Sequence, residues 1–547
     1  MPDIAIPSEN PVRSQGLYWP LLALITVLLV TVASLIWSYE HPFGFNWDEA
    51  GYINEMQLDV SHFHAHGVLG VAKGWLLDDS LRPPAYRVFA FPFALILGPS
   101  PFVLRFVSIL FRIFTLALVY LGVRRISNRD TAALSVILLA LCPDFLFFSS
   151  IFYNEYALYL AAAGTCYFVF RSWNQPAGNL INCLGLGIFL GIGALAKASF
   201  PVLAGCFLLL VAILYWRKKI TGPSPQFLLN ACIIGALIAG PWWLVNFRGG
   251  LYHVGHAMNF SRQSMGPAGL SMTIRFLIRF LQEGLGLPIG LVCLALLLTA
   301  LVNRFYSRPS QVPVGSSWAM LCLLLGALPT LLMPLASHNQ VMYHTSQSLV
   351  LFAAGFALLA NNEGWLSFPI RLLVLNLVIF AQLGLTLAPI VLRQEYPGER
   401  YAWTNLGRWE QWDWNQFRLL LNSHGLKRPS IAYLGDVPAL NPPQILYPWL
   451  SHHEQPPSVK LLWSQGTGDP KVSSLIAAVA TNDVVFTVPE LKPIPGGDAD
   501  LLDDTYNAAF ASQMSNCPDF QAPLHLRMGR LHPVDLVIYI RKSAQDH

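Results

Sequence analysis

Apolar residues in this chain come in long runs. The first, Leu17 to Trp37, is long enough to cross a bilayer. Further runs extend from Ala85 to Val123, broken at Gly98-Pro99-Ser100-Pro101, then from Thr131 to Phe148, Tyr153 to Phe170, Leu180 to Ala196, Pro201 to Trp216 and Phe227 to Val245. Leu285 to Val302, Trp318 to Leu335, Thr345 to Ala360 and Ile370 to Leu392 complete the series. The pattern predicts a polytopic α-helical membrane protein with about 11–13 transmembrane helices, eleven or so if the broken run crosses once. If both its halves cross, every later orientation inverts.

Charge placement favours the single crossing. Arg124-Arg125 with Arg129, Arg171, Arg217-Lys218-Lys219, and Arg304 with Arg308 lie in short loops of one parity, which the positive-inside rule assigns to the cytoplasm. Leu17 to Trp37, preceded by Arg13, then reads as an uncleaved signal anchor. Arg248, Arg262, Arg275 and Arg279 cluster in a longer loop of the opposite parity. They are either ligands of an anion or part of an interfacial amphipathic helix, and the four-residue spacing of Arg275, Arg279 and Glu283 favours the helix.

Beyond about Gln394 the pattern changes. β-like runs at Ser430 to Leu434, Val459 to Trp463, Val484 to Val488 and Val534 to Ile540 alternate with helix-compatible segments such as Val472 to Ala480, which predicts a small soluble α/β domain. The expected division is a membrane domain over 1–393, with a large first outer loop at 39–84, and an extracytoplasmic domain over 394–547. Between them, Trp403, Trp409, Trp412 and Trp414 are expected to form an anchoring belt at the membrane interface. Gly466-Thr467-Gly468 fits no phosphate loop and Pro495-Gly496-Gly497-Asp498 reads as a turn, so no cofactor is predicted.

Composition agrees with the membrane reading: 54% of the 547 residues are hydrophobic and 12% charged, about half the charge of a soluble protein. The net charge of +4 is dispersed among the spans, which argues against nucleic acid as a partner. The eight cysteines form no disulfide framework or zinc motif. His62, His64 and His66 would share one face only on a strand, and no metal site is predicted.

The candidate chemistry is polar and sits beside the spans. Under the favoured topology Asp48-Glu49, Arg82, Asn154-Glu155, Lys197, Arg248 and the loop with Tyr343 all face the same, outer side. Ionisable groups are costly at a bilayer and tend to mark a site. Asp48 and Glu49, adjacent at a helix start, point to different faces, so one is free for base chemistry while the other orients or caps. The plainer alternative is helix capping by Asp48, with Tyr52 packing one turn on. Arg82-Pro83-Pro84 holds a guanidinium at a helix mouth, where it suits a phosphate or merely snorkels. Glu155 is either a second acid of the pocket or a helix-start acid favoured by the dipole, and Lys197 interrupts an apolar stretch, which favours pairing with phosphate.

These residues resemble the GT-C membrane glycosyltransferases, in particular the branch with protein O-mannosyltransferases and 4-amino-arabinose lipid A transferases. The resemblance rests on Asp48-Glu49 with Tyr52, on Arg82-Pro83-Pro84-Ala85-Tyr86, on Gly98 with Arg105, on Pro143 before Asn154-Glu155, on Leu195-Ala196-Lys197 and on Pro241-Trp242. It covers roughly residues 17 to 250 well and the rest by general layout. It implies a GT-C-like fold in the plasma (inner) membrane and transfer of a sugar from a polyprenyl-phosphate-linked donor to a hydroxyl outside the cytoplasm, with inversion and without metal. Asp48, with Glu49 and Glu155 as further acids, would be the catalytic base. Tyr52, Arg82, Tyr86, Lys197, Arg248, Tyr343 and His344 would bind substrate. Where many relatives carry Arg-Tyr before a late helix, this chain reads Val341-Met342-Tyr343-His344, so a cation is missing or replaced by His344. The acceptor, whether lipid, polysaccharide or protein, is not specified. The rival is a transporter or flippase of a lipid-linked or anionic substrate, against which the gathering of polar groups on one face counts.

Overall fold

The structure is a computed structural model. It describes residues 17–44, 47–175, 179–265, 269–306, 314–337, 345–362, 368–395, 406–435, 439–462, 471–490 and 504–546. In chain order the helices are α1 (Tyr18–Glu40), α2 (Trp47–Leu77), α3 (Ala85–Leu97), α4 (Pro101–Ile126), α5 (Arg129–Leu141), α6 (Pro143–Phe148), α7 (Glu155–Arg171), α8 (Leu180–Ala194), α9 (Phe200–Trp216) and α10 (Pro225–Met265). They continue with α11 (Leu270–Arg279), α12 (Leu287–Tyr306), α13 (Val314–Ser337), α14 (Ser348–Asn362) and α15 (Phe368–Val391).

The bundle is layered by burial. In α5, α7 and α14 almost every residue over 131–141, 155–166 and 348–360 is buried, so these helices form the centre. Around them, α8, α10, α12 and α15 turn Leu184, Leu237, Leu298 and Leu377 outward, the apolar exposure a lipid-facing helix needs. Among the described residues four helices are individually long and apolar enough to span a bilayer, or five if the bent pair Leu270–Gly284 and Leu287–Thr299 is one span. Other apolar helices have 10–17 residues. Shortness is tolerable in central helices such as α14, which meet protein on every side.

The broken run Ala85–Val123 is two helices, of which only α4 lies antiparallel along α1. Phe102 packs edge-on against Tyr39, and ten residues further Arg112 Nη1 reaches Ser34 Oγ at 3.0 Å. The chain therefore leaves α1 and enters α4 at one end of the bundle, and α2 and α3 both lie at that end. Within α2, Gly67 takes φ 66°, a conformation in which a side chain is strained. The helix breaks there and doubles back, bringing Trp75 Nε1 to 3.1 Å from Asp59 Oδ2.

The expected amphipathic helix is α11, continued by a π-helical turn over Phe280–Gly284 and bent by 117° from α12. Arg279 binds Glu283 at 3.0 and 3.1 Å.

The C-terminal unit is an α/β sandwich. Its helices are α16 (Trp414–Ser423), α17 (Pro442–Ser451), α18 (Val472–Val479) and α19 (Asp504–Ser515), and its strands are β1 (Ser430–Leu434), β2 (Ser458–Leu461), β3 (Val484–Thr487), β4 (Leu524–Met528) and β5 (Val534–Ile540). The sheet order is β2-β1-β3-β5-β4, with β2-β1-β3 parallel and β5 and β4 antiparallel. β4 was absent from the sequence expectation because Leu524-His525-Leu526-Arg527-Met528 is an edge strand with only alternate residues apolar. The tryptophan belt is corrected. Trp409, Trp412 and Trp414 are buried in protein, and Trp414 donates to the Ala439 carbonyl at 2.9 Å in the domain core. Trp403 lies outside the described residues.

Helices α8 and α10 touch through glycines. A β-carbon at Gly187 would lie 2.6 Å from Ile234 Cβ, and one at Gly191 would lie 2.7 Å from Ile238 Cβ. Both neighbours are β-branched and cannot retreat, the small-residue packing that lets membrane helices approach closely. Gly191→Leu is expected to lower stability by about 1–3 kcal/mol, read as a lower thermal midpoint of the detergent-purified protein.

Candidate active site

The site begins at the first turn of α2, where two adjacent acids take opposite roles. Glu49 points into the bundle and is fully buried. It accepts from Arg105 Nε at 2.8 Å and Nη2 at 2.7 Å, and from the Phe152 backbone N–H at 2.8 Å. The same guanidinium donates to the carbonyls of His41 and Phe43. Glu49, expected among the catalytic acids, is thus walled off from any substrate, because a buried carboxylate persists only when its charge and lone pairs are matched.

Asp48 points the other way and remains a third exposed. Arg82 Nη2 binds its Oδ1 at 2.9 Å, and the Tyr153 hydroxyl lies 3.3 Å from Oδ2. The Arg82 guanidinium stands 4.9 Å over the Tyr52 ring and brings Nη1 to 3.6 Å from Glu55 Oε1. Tyr52 in turn packs on Tyr86 and Tyr153, with ring centroids 4.6 and 5.3 Å apart. Tyr86 donates its hydroxyl to Glu55.

A second ion pair completes the cluster. Lys197 Nζ binds Glu155 Oε1 at 2.6 Å, with Glu155 fully buried at the start of α7. The elements are stitched together by backbone contacts: Asn154 Nδ2 donates to the Ala196 carbonyl at 3.2 Å, the Ala85 N–H to Leu195 at 2.9 Å, and the Tyr156 hydroxyl to the Tyr86 carbonyl. Trp243 Nε1 holds the Ala194 carbonyl at 3.0 Å. Asp48, Tyr52, Arg82, Tyr86, Glu155 and Lys197, spread over 150 positions of sequence, therefore share one locale.

Arg248 is exposed on α10, and its neighbours reach the end of α2 and the segment before Arg82: Asn246 donates to the Leu76 carbonyl at 2.8 Å, and a β-carbon at Gly249 would lie 2.7 Å from the Ser80 carbonyl oxygen. Tyr343 and His344 lie outside the described residues. His62, His64 and His66 sit on helical α2, where alternation spreads them over different faces, and His62 Nδ1 lies 3.4 Å from Asp78.

Two acids escaped the sequence reading. Glu55 and Asp59 follow Asp48 by seven and eleven residues, one helix face, and that spacing was the available signal. Asp59 is buried against Arg87, with Nε to Oδ2 at 2.8 Å. Burial is the main force pushing the Glu55 carboxyl up to about 7; Arg87 and Arg82 oppose it and Asp79 adds to it.

Residues 81–244 match the family model described as dolichyl-phosphate-mannose-protein mannosyltransferase. Among solved structures, the chain is similar to ArnT from Cupriavidus metallidurans bound to undecaprenyl phosphate, with TM-score 0.60 and 12% identity over 96% of this chain and 98% of that one. It is also similar to an Archaeoglobus fulgidus oligosaccharyltransferase tethered to an acceptor peptide, with TM-score 0.52 and 11% identity over 97% and 77% of the two chains. Archaeal AglB from Archaeoglobus fulgidus, in complex with an inhibitory peptide and a dolichol-phosphate, gives TM-score 0.50 and 14% identity over 87% and 70%. No curated protein matches the chain by sequence.

Two outcomes follow for the anchors. Arg105→Ala strands the Glu49 charge and is expected to cost about 3–5 kcal/mol, seen as a lowered melting temperature that Glu49→Gln in the same chain partly restores. Glu55 has a folded pKa above its unfolded one, so its protonated form favours the fold. Its stabilising contribution is full below 4.5 and is lost as pH rises through about 7. Melting curves across that window are expected to decline with pH in wild type and to flatten in Glu55→Gln.

Proposed function

We propose, from its place in the GT-C superfamily of membrane glycosyltransferases, that this chain moves a sugar from a polyprenyl-phosphate-linked donor to a hydroxyl acceptor. The observation that carries the reading is the pairing of an accessible carboxylate, Asp48, with a cation, Arg82, beside a second carboxylate and cation, Glu155 and Lys197. The bundle end bearing α2 and α3 is the extracytoplasmic one, the membrane is the plasma (inner) membrane, and residues 394–547 form the outer domain.

In the reaction, Asp48 accepts the acceptor's hydroxyl proton as the oxygen forms its bond to the anomeric carbon. The bond from that carbon to the phosphate oxygen breaks on the opposite side, so the configuration inverts and the electron pair leaves with the polyprenyl phosphate. Arg82 and Lys197 are the groups to meet that charge, and preorganised cations in a site shielded from water are the largest kind of catalytic contribution. Both are now paired with carboxylates. An incoming phosphate offers Arg82 an alternative anion and frees Asp48 to act as a base. Tyr52 and Tyr86, expected to bind substrate, are buried with Tyr153 behind the Asp48–Arg82 pair, so their part is to back that pair: Tyr52 lies under the Arg82 guanidinium and the Tyr153 hydroxyl reaches Asp48.

The test is transfer of radiolabelled sugar from a panel of polyprenyl-phosphate sugars in membranes with matched expression. Asp48→Asn is expected to lower transfer by about 10²–10⁴-fold, with normal membrane insertion. Retention of transfer by this variant would move the base to Glu155, and no transfer by wild type from any donor would favour a transporter.

A further inference from the structure

The first turn of α2 is held from two directions. From the bundle, Arg105 grips Glu49. From the other side the C-terminal domain presents the start of α17, where Asn441 caps the helix through Gln444 N–H at 3.0 Å and Pro442 opens it.

Two side-chain bonds cross between the domains there. Gln444 Nε2 donates to the Gly44 carbonyl at 2.6 Å, and Asn54 Nδ2 donates to the Pro443 carbonyl at 2.8 Å. Gln444 is 4% exposed and Asn54 8%, so neither amide has water as an easy substitute. They bracket Asp48, one four residues before it and one six residues after. Gly51, on the Asp48 face of the helix, lies between them: a β-carbon there would sit 3.7 Å from Arg82 Nη1 and 4.0 Å from Pro443 Cγ. The turn carrying Asp48 thus has Arg82 and α17 as its neighbours on one side.

Further contacts dock the domain on the same end of the bundle. Trp37 Nε1 donates to the Gly407 carbonyl at 2.9 Å, Phe43 and Tyr447 meet edge to face, and Arg530 Nη1 donates to the Glu40 carbonyl at 3.3 Å. None of these touches the acid's own helix. The Asn54 bond does, and the Gln444 bond holds Gly44, three residues before that helix begins.

We infer that α17 of the C-terminal domain is a positioning element of the transfer site, with Gln444 and Asn54 fixing the orientation of Asp48 toward the acceptor hydroxyl. The inference rests on the glycosyl-transfer reading above. It makes the outer domain part of the catalytic apparatus through backbone geometry, because a base displaced by an ångström loses much of its effect. Donor phosphate, held by Arg82 and Lys197, depends less on these bonds.

The experiment uses the full-length chain in membranes with radiolabelled undecaprenyl-phosphate sugar as the probe. Gln444→Ala and Asn54→Ala are each expected to lower turnover at saturating donor roughly tenfold while the donor KM stays within about twofold. Gln444→Glu supplies a sharper readout. A carboxylate cannot donate to the Gly44 carbonyl, whereas the protonated acid can. Its turnover, taken as a ratio to wild type at each pH, is expected to rise about fivefold from pH 8 to pH 5.5, since burial lifts a glutamate above its ordinary value. The Gln444→Ala ratio is expected to stay flat. A merely structural bond would lower the amount of folded protein, followed by its melting temperature, without this pH-dependent recovery. Transfer by wild type with all three variants unchanged in turnover overturns the positioning role and leaves the reaction standing. Absence of transfer by wild type from any donor overturns the reaction and this inference together.

Discussion

The buried pair of Glu49 and Arg105 is the contact on which the rest of the site depends. Desolvating both charges is expensive, and the cost is offset only because every face of the pair is occupied: two guanidinium nitrogens on the carboxylate, the Phe152 N–H on the same carboxylate, and the His41 and Phe43 carbonyls on the remaining donors. Such a pair adds little net stability over a well-packed apolar substitute, but it tolerates one geometry. It ties the end of α1, the first turn of α2, α4 and the approach to α7 to one point. Asp48, the residue before Glu49, inherits its direction from that point.

The polar site is itself a set of competing attractions. Arg82 divides its guanidinium between Asp48 and Glu55 and rests on the Tyr52 ring, and Lys197 is matched by Glu155. With each cation paired, the site avoids exposing bare charge to a low-dielectric surface. In the proposed reaction a donor phosphate would exchange one anion for another there, with no new side chain to order. Glu55 carries part of this balance, since its carboxyl, pushed up to about 7 mainly by burial, is a weaker competitor for Arg82 near that pH than a fully ionised carboxylate would be.

The C-terminal domain is packed into this arrangement. Its parallel strands deliver the start of α17 to the Asp48 end of the bundle, and its tryptophans serve its own core and the seam with the bundle. A domain joined through a seam of buried amides and aromatic rings moves less freely than one on a tether.

The membrane class, most of the helices, the amphipathic α11 and four of the five strands were legible in the residues, because a bilayer demands apolar length and a sheet demands β-branched runs wherever they fall. The motif acids and cations were legible too, since charge beside an apolar run is conspicuous. What one dimension could not decide was which of two neighbouring carboxylates is buried. Asp48 and Glu49 are equivalent as letters, and only the position of Arg105, fifty-six residues on, turns Glu49 inward. The same holds for α3, an apolar segment that returns to the end of the bundle it came from, and for Trp409, Trp412 and Trp414, whose amphipathic rings suit an interface but are covered by protein. Gln444, an ordinary polar residue in sequence, acquires its role from the docking of α17 on α2. Hydropathy is a property of the residue and its near neighbours, so the sequence determined the elements and the class. Burial, pairing and orientation belong to contacts between distant segments, and only the tertiary structure decided them.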